Sequence, residues 1–170
     1  MLLSSRLRWI AALLVIGVFA VLPFACIVQP AWNDPASQDK AVDPWAPAQV
    51  LQPPELVREL GASKPQNAPA IVYVGFRTLF EGGHIPGASF HGTASTEKGL
   101  AELKKSLAAI PHSTNVVIYC GCCPFDRCPN IRPAYTALHE MGFTHLRVLA
   151  LPKSFAADWV EKGYPIKKGL

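Results

Sequence analysis

The chain has 170 residues, half of them hydrophobic, and a net charge of +4 from 16 basic and 12 acidic residues. After a leader of about 30 residues, this length leaves one domain of ordinary size with a single core. Arg6 and Arg8 supply two of the positive charges, and the other lysines and arginines do not cluster among aromatic residues. The charge pattern therefore gives no indication of nucleic-acid binding.

The N-terminal segment predicts a membrane anchor or an export signal. Arg6 and Arg8 precede an apolar run over residues 9–28, long enough to cross a hydrocarbon core of about 30 Å as a helix. Basic residues on the short N-terminal side indicate that the rest of the protein faces the periplasm or the outside of a bacterial cell. A cleaved signal peptide and a lipoprotein attached at Cys26 are the alternatives, the latter because Ala25-Cys26 resembles the end of a lipobox.

The chain divides into three parts. Residues 1–30 are the predicted anchor or signal, residues 31–44 form a Pro- and Ala-rich linker, and residues 45–170 form the globular domain. Helical patterns in the domain cover residues 54–61, 97–110, 131–141 and 154–162, and strand patterns cover residues 70–74, 88–90, 116–120 and 146–149. This alternation predicts an α/β fold with a mainly parallel sheet of about five strands and helices on both faces.

Four of the five cysteines fall within residues 120–128, between a predicted strand and a predicted helix. Parallel sheets hold their ligands beyond the carboxyl ends of the strands, and loop amides with a helix N-terminus stabilise an anion. Because a thiolate is the nucleophilic form of cysteine, Cys120 is the predicted catalytic residue. Arg127 is expected to lower its pKa. The predicted substrate-binding residues are Gly121, Cys122, Cys123, Arg127 and Cys128.

The three further cysteines of the loop allow other chemistry. Cys128 could resolve an oxidised or persulfidated Cys120, or pair with Cys122 or Cys123 in a disulfide. The four thiols could also supply soft ligands for Cu(I) or Zn, or face solvent without a fixed role. No disulfide can join distant parts of the domain, because its cysteines all lie in this one loop.

Several segments match one known family in order and spacing across residues 45–168. Residues 83–88 read Gly-His-Ile-Pro-Gly-Ala, and residues 116–120 form a strand that ends in cysteine. Residues 74–77 occupy the place of an Asp-x-Arg turn, with Gly75 instead of the aspartate, and residues 155–166 match a terminal helix and tail. On these segments the domain resembles the rhodanese-like domains, although its cysteine loop is longer than theirs.

The resemblance implies a sulfurtransferase. Cys120 would take sulfane sulfur from a donor such as thiosulfate as a persulfide and pass it to a thiol or cyanide. We expect a monomer that uses no cofactor and no resident metal, with a small-molecule sulfur donor and a thiol acceptor as partners and the membrane contacted by the N-terminal segment. A thiol–disulfide or soft-metal-handling protein on the same scaffold and a catalytically silent binding module are the alternatives.

Overall fold

Five short strands form the centre of the domain: β1 (Val50–Leu51), β2 (Ala70–Tyr73), β3 (Ser89–Phe90), β4 (Asn115–Tyr119) and β5 (His145–Leu149). In this computed structural model, which describes residues 42–170, they form one sheet in the order β1-β5-β4-β2-β3. Every neighbouring pair is parallel. The predicted α/β class with a parallel sheet is confirmed, and β4 is its central strand.

The helices of the described residues are α1 (Pro53–Ala62), α2 (Arg77–Gly82), α3 (Glu97–Leu107) and α4 (Ile131–Glu140). At the start of α1, the Glu55 carboxylate accepts the backbone N–H of Gln52 at 2.7 Å. At the start of α3, the Thr96 hydroxyl accepts the backbone N–H of Gly99 at 3.0 Å. Such caps satisfy amides that have no partner within the helix, and they fix where each helix begins.

The two faces of the sheet pack into separate apolar cores. Because side chains alternate along a strand, Val116 and Ile118 of β4 enter one core while Val117 and Tyr119 enter the other. The first core contains residues of α3 and α4, and the second contains residues of α1 and α2. Cys120 continues the alternation and belongs to the α3–α4 side.

Four elements differ from the sequence prediction. Strand β1 and helix α2 were not predicted, because two and six residues are too short to show a periodic pattern. The predicted helix over residues 154–162 is a π-helical segment, Ala156–Val160, in which the Glu161 amide reaches the Ala156 carbonyl at 2.9 Å. The predicted helix over residues 97–110 ends at Leu107.

The Gly-His-Ile-Pro-Gly-Ala segment contacts Tyr119 at the carboxyl end of β4. The His84 ring donates from Nδ1 to the Phe80 carbonyl at 2.8 Å, and its backbone pairs with Lys167. The Ile85 amide donates to the Tyr119 hydroxyl at 3.1 Å. The histidine is therefore a structural residue that joins α2 and the C-terminal tail to the sheet.

The predicted anchor over residues 1–30, with Cys26, and most of the predicted linker lie outside the described residues. Within residues 42–170, no helix is long and apolar enough to cross a membrane. The end of the predicted linker contacts the domain, because the Asp43 carboxylate accepts a hydrogen bond from Arg132 at 2.6 Å. Trp45 is buried beside it and packs on Phe125 and Tyr135 with ring centroids 5.4 and 5.5 Å away.

Candidate active site

Cys120 directly follows Tyr119, the last residue of the central strand β4. The backbone N–H of Val74 donates to the Tyr119 carbonyl at 2.9 Å, and the Val74 carbonyl accepts the Ala94 amide at 3.1 Å. Three chain segments therefore converge beside Cys120 at the carboxyl edge of the sheet. This edge is where parallel α/β folds hold their ligands.

Three sulfur atoms lie together at this edge. The Sγ atoms of Cys120, Cys122 and Cys128, here called the sulfur triad, are all within 4.8 Å of one another. Cys120 Sγ lies 3.0 Å from Cys122 Sγ, and the Cys123 sulfur lies 3.3 Å from that of Cys122. Cys120 and Cys128 are buried, whereas Cys122 and Cys123 are half-buried, and all four are free thiols.

The Asn130 side chain is the polar partner of these sulfurs. Its Nδ2 donates to Cys120 Sγ at 3.4 Å and is 3.7 Å from Cys122 Sγ. Its Oδ1 accepts the backbone N–H of Ser95 at 2.9 Å, and the residue is completely buried. Because the oxygen is held by a backbone amide, the amide nitrogen must face the sulfurs, where a donor favours the anionic form.

The pKa values of Cys128 and Cys120 are shifted in opposite directions. The pKa of Cys128 is lowered to about 6 because the neighbouring Cys120 thiol donates to it, and the backbone amides of Asn130 and Ile131 add to this effect against the opposing effect of burial. The pKa of Cys120 is raised, first by that hydrogen bond to Cys128 and then by burial. The sequence predicts a lowered pKa for Cys120, whereas the hydrogen bond to Cys128 and burial raise it.

The cysteine loop is anchored to the chain that follows β5. The Phe125 amide donates to the Leu151 carbonyl at 3.1 Å, and the Phe155 amide donates to the Gly121 carbonyl at 3.0 Å. Gly121 has a positive φ of 77°, and a Cβ at this position would lie 2.6 Å from Phe155 Cβ. Only glycine suits both conditions, so the loop passes close to Phe155.

A cleft of about 510 Å³ opens beside the triad. Its lining includes Gly121 and Cys122 from the loop, Tyr73, Phe155 and Lys168. The lining is largely apolar, and Lys168 adds one positive charge. Cys122 is the one triad member among these lining residues, whereas Cys120 is buried.

Gly75 gives Cys120 the space that its sulfur occupies. A Cβ at position 75 would lie 2.9 Å from Cys120 Sγ and 2.5 Å from the Tyr73 hydroxyl oxygen. These separations are shorter than van der Waals contact, so a side chain would displace the sulfur or the phenol. The glycine that replaces the usual aspartate is therefore a steric requirement of this site.

Similar solved structures share this architecture. The rhodanese-like domain of the Alr3790 protein from Anabaena matches with a TM-score of 0.52 and 22% identity, covering 71% of this chain and 79% of that one. A crystal structure of the same protein matches with a TM-score of 0.52 and 20% identity, covering 71% and 93%. The BH2092 protein from Bacillus halodurans matches with a TM-score of 0.51 and 14% identity, covering 69% and 75%. The chain has the rhodanese-like fold. No family model and no curated protein matches its sequence.

On this rhodanese-like fold, the predicted site residues separate into two groups. Cys120, Cys122 and Cys128 come together, and Cys123 and Gly121 adjoin them. The Arg127 side chain is 83% exposed and lies 3.8 Å from Asp126, and it is not among the groups that shift the pKa of Cys120. An anion-binding role for Arg127 stays a prediction.

Asn130 and Gly75 are two of the site residues that were not predicted from the sequence. An asparagine directly before a helix is typical of an N-terminal cap, and that pattern was the available signal at position 130. Asn130 makes no capping hydrogen bond with its side chain and turns to the sulfurs instead. Gly75 was noted as a departure from the rhodanese-like pattern, but the sequence does not reveal that Cys120 fills the space beside it.

Proposed function

We propose that this protein is a sulfurtransferase in which Cys120 carries sulfane sulfur as a persulfide. The observation that supports it best is the position of the Cys120 sulfur at the carboxyl end of β4, where Asn130 donates to it at 3.4 Å. A persulfide that replaced the thiol would keep this donor within reach of an anionic sulfur.

The loading step forms one sulfur–sulfur bond and breaks another. With thiosulfate as donor, the Cys120 thiolate attacks the sulfane sulfur, the bond to the sulfite group breaks, and sulfite leaves with the electron pair. Cys120 must first lose its proton, and Cys128 within 4.8 Å is a nearby acceptor that also receives two backbone N–H groups. An acceptor such as cyanide then attacks the outer sulfur and leaves as thiocyanate, which regenerates the Cys120 thiolate.

The cleft suits a small anionic donor. Lys168 contributes a positive charge, and Gly121 contributes backbone rather than a side chain, so a compact anion can approach the loop. Cys122 lines the cleft with its sulfur 3.0 Å from that of Cys120, so a donor in the cleft would approach Cys120 beside Cys122. We also propose a monomer that faces the periplasm or the outside of the cell, as the N-terminal segment predicts.

The test uses the full-length chain with thiosulfate and cyanide. We expect thiocyanate to form, and the intact mass to rise by one sulfur atom when thiosulfate is given alone. Cys120→Ser should abolish both, whereas Cys26→Ser, which removes the one cysteine outside the loop, should keep both. Sulfur loading that persists in Cys120→Ser, or that is absent from the wild-type chain, would refute the proposal.

A thiol–disulfide function is the second candidate, and the 3.0 Å separation of the Cys120 and Cys122 sulfurs favours it. Oxidation would join these two sulfurs and release two hydrogens to the oxidant. Treatment with the thiol oxidant diamide should then lower the intact mass by two hydrogens in the wild-type chain and not in Cys122→Ser. If a chain that loads no sulfur forms this bond readily, the redox function replaces the sulfurtransferase.

A further inference from the structure

The sulfur triad has the composition of a soft-metal site. Within residues 42–170, it is the one group of at least three cysteine, histidine or acidic side chains whose ligand atoms converge. All three ligand atoms are sulfur, with none from a carboxylate or an imidazole. Thiolate ligands select Cu(I), zinc and iron–sulfur clusters over hard cations such as magnesium or calcium.

The number of ligands distinguishes among the soft ions. Structural zinc sites are almost always tetrahedral and take four protein ligands. The fourth loop cysteine, Cys123, lies 3.3 Å from Cys122 but is not part of the converging group. Three sulfurs without a fourth protein ligand suit an ion that accepts trigonal coordination, and Cu(I) is such an ion.

Hydrogen-bond donors surround the three sulfurs. Asn130 Nδ2 donates to Cys120 Sγ at 3.4 Å and lies 3.7 Å from Cys122 Sγ. The backbone N–H groups of Asn130 and Ile131 are directed to Cys128. Three thiolates with one monovalent cation carry excess negative charge, and these donors would offset part of it. Outer donors of this kind orient metal ligands and tune affinity in metalloproteins generally.

The triad borders the cleft through one sulfur, and its other two sulfurs are buried. Cys122 borders the cleft, while Cys120 and Cys128 are each only 2% exposed. An arriving ion would meet Cys122 first and then pass to the two buried sulfurs. We propose that Cys120, Cys122 and Cys128 form a binding site for one Cu(I) ion. As the copper–sulfur bonds form, the thiol protons leave to water, and copper stays in the +1 state.

The experiment measures copper binding and requires no sulfur transfer, so it stands or fails independently of the proposed function. The full-length Cys26→Ser chain is reduced, kept anaerobic and titrated with Cu(I) in competition with the chromogenic chelator bicinchoninate. We expect one equivalent of Cu(I) to move from the chelator to the protein. X-ray absorption at the copper edge should then show three sulfur neighbours.

Four serine variants test which sulfurs bind. Cys120→Ser, Cys122→Ser and Cys128→Ser should each weaken binding by at least about tenfold, whereas Cys123→Ser should bind like the parent chain. Asn130→Ala leaves all four thiols in place and should weaken binding by about 10–100-fold. Circular dichroism and thermal unfolding of each variant separate loss of the site from loss of the fold.

Several results would overturn the proposal. These are the absence of Cu(I) transfer to the reduced parent chain, an equal loss of affinity in Cys123→Ser, and retention of Zn(II) with no retention of Cu(I). A copper edge spectrum with two sulfur neighbours would overturn the three-ligand assignment in the same way.

Discussion

Replacing Gly75 by alanine places one methyl group into the space that the Cys120 sulfur and the Tyr73 ring occupy. The added Cβ would lie 2.5 and 2.8 Å from Oη and Cζ of Tyr73 and 2.9 Å from Cys120 Sγ. Gly75 is not in the left-handed region, so alanine can adopt its backbone conformation. The whole effect of this substitution therefore comes from the side-chain contacts.

The size of the effect follows from these distances. Ordinary contact begins at 3.4 Å, so the sulfur must retreat by about 0.5 Å, the difference between 3.4 and 2.9 Å. Overpacking of this kind costs about 1–3 kcal/mol of unfolding free energy. A misplacement of about 1 Å in an active site costs roughly 100-fold in rate, so half of that displacement should slow sulfur loading about tenfold.

Two measurements on one protein preparation check this prediction. Thermal unfolding should show a lower midpoint for Gly75→Ala, and the rate of mass increase with thiosulfate should fall. Gly61→Ala in α1 is the matched control, because no atom lies within 4 Å of its added Cβ. Gly61 is the second-last residue of α1, so alanine there should raise the unfolding free energy by at most about 0.5–1 kcal/mol, the value for a helix interior.

A Gly75→Ala chain that is as stable as Gly61→Ala and loads sulfur at the wild-type rate would refute this prediction. Such a result would mean that Tyr73 and Cys120 move apart at no cost. A lower unfolding midpoint with an unchanged rate of sulfur loading would agree with the predicted overpacking. It would refute the inferred displacement of the Cys120 sulfur.

Three further predictions concern the surroundings of the triad. Asn130→Ala should lower the unfolding free energy by about 1–3 kcal/mol in chemical denaturation, because the buried Ser95 amide and the sulfurs lose their partner. The ultraviolet absorbance of thiolate should rise with pH in a step near pH 6 that Cys128→Ser removes, since the anion forms above its pKa of about 6. Trp45→Ala should cost about 3–5 kcal/mol in thermal or chemical unfolding, because the buried indole packs on Phe125 of the loop.

Each of these has an outcome that contradicts it. Asn130→Ala with wild-type stability would show that water replaces the amide at both partners. A thiolate step near pH 9 in the wild-type chain would mean that neither the Cys120 thiol nor the backbone amides of Asn130 and Ile131 stabilise the Cys128 anion. A Trp45→Ala variant with unchanged stability would mean that this N-terminal arm of the domain does not belong to the core.

The sequence predicted the parts of the fold that repeat a local pattern. The β-branched run of β4 and the helical spacing of α4 indicated both elements and placed Cys120 between them. The two residues of β1 exist as a strand only because they pair with Val148 and Leu149 of β5. No local pattern can reveal such a strand, since its hydrogen bonds come from a distant part of the chain.

The chemistry of the site was predicted less completely than its location. The sequence showed that amides of a loop and a helix end would meet several cysteines, but it did not show which sulfur would receive them. In the folded loop, the backbone amides of Asn130 and Ile131 donate to Cys128, whereas Cys120 accepts a hydrogen bond from the Asn130 side chain. That distribution depends on three-dimensional contacts between residues 120–130, which spacing alone does not determine.

The position of the half-buried Cys122 beside the cleft affects how thiol-labelling experiments on this protein should be interpreted. A maleimide or a bulky disulfide reagent that enters the cleft meets Cys122 before it can meet Cys120. The adduct would then block the approach from this cleft to the deeper sulfur. Inactivation by such a reagent would therefore result from blocking of the cleft at Cys122. Peptide mapping would find the label on Cys122, although the proposed nucleophile is Cys120.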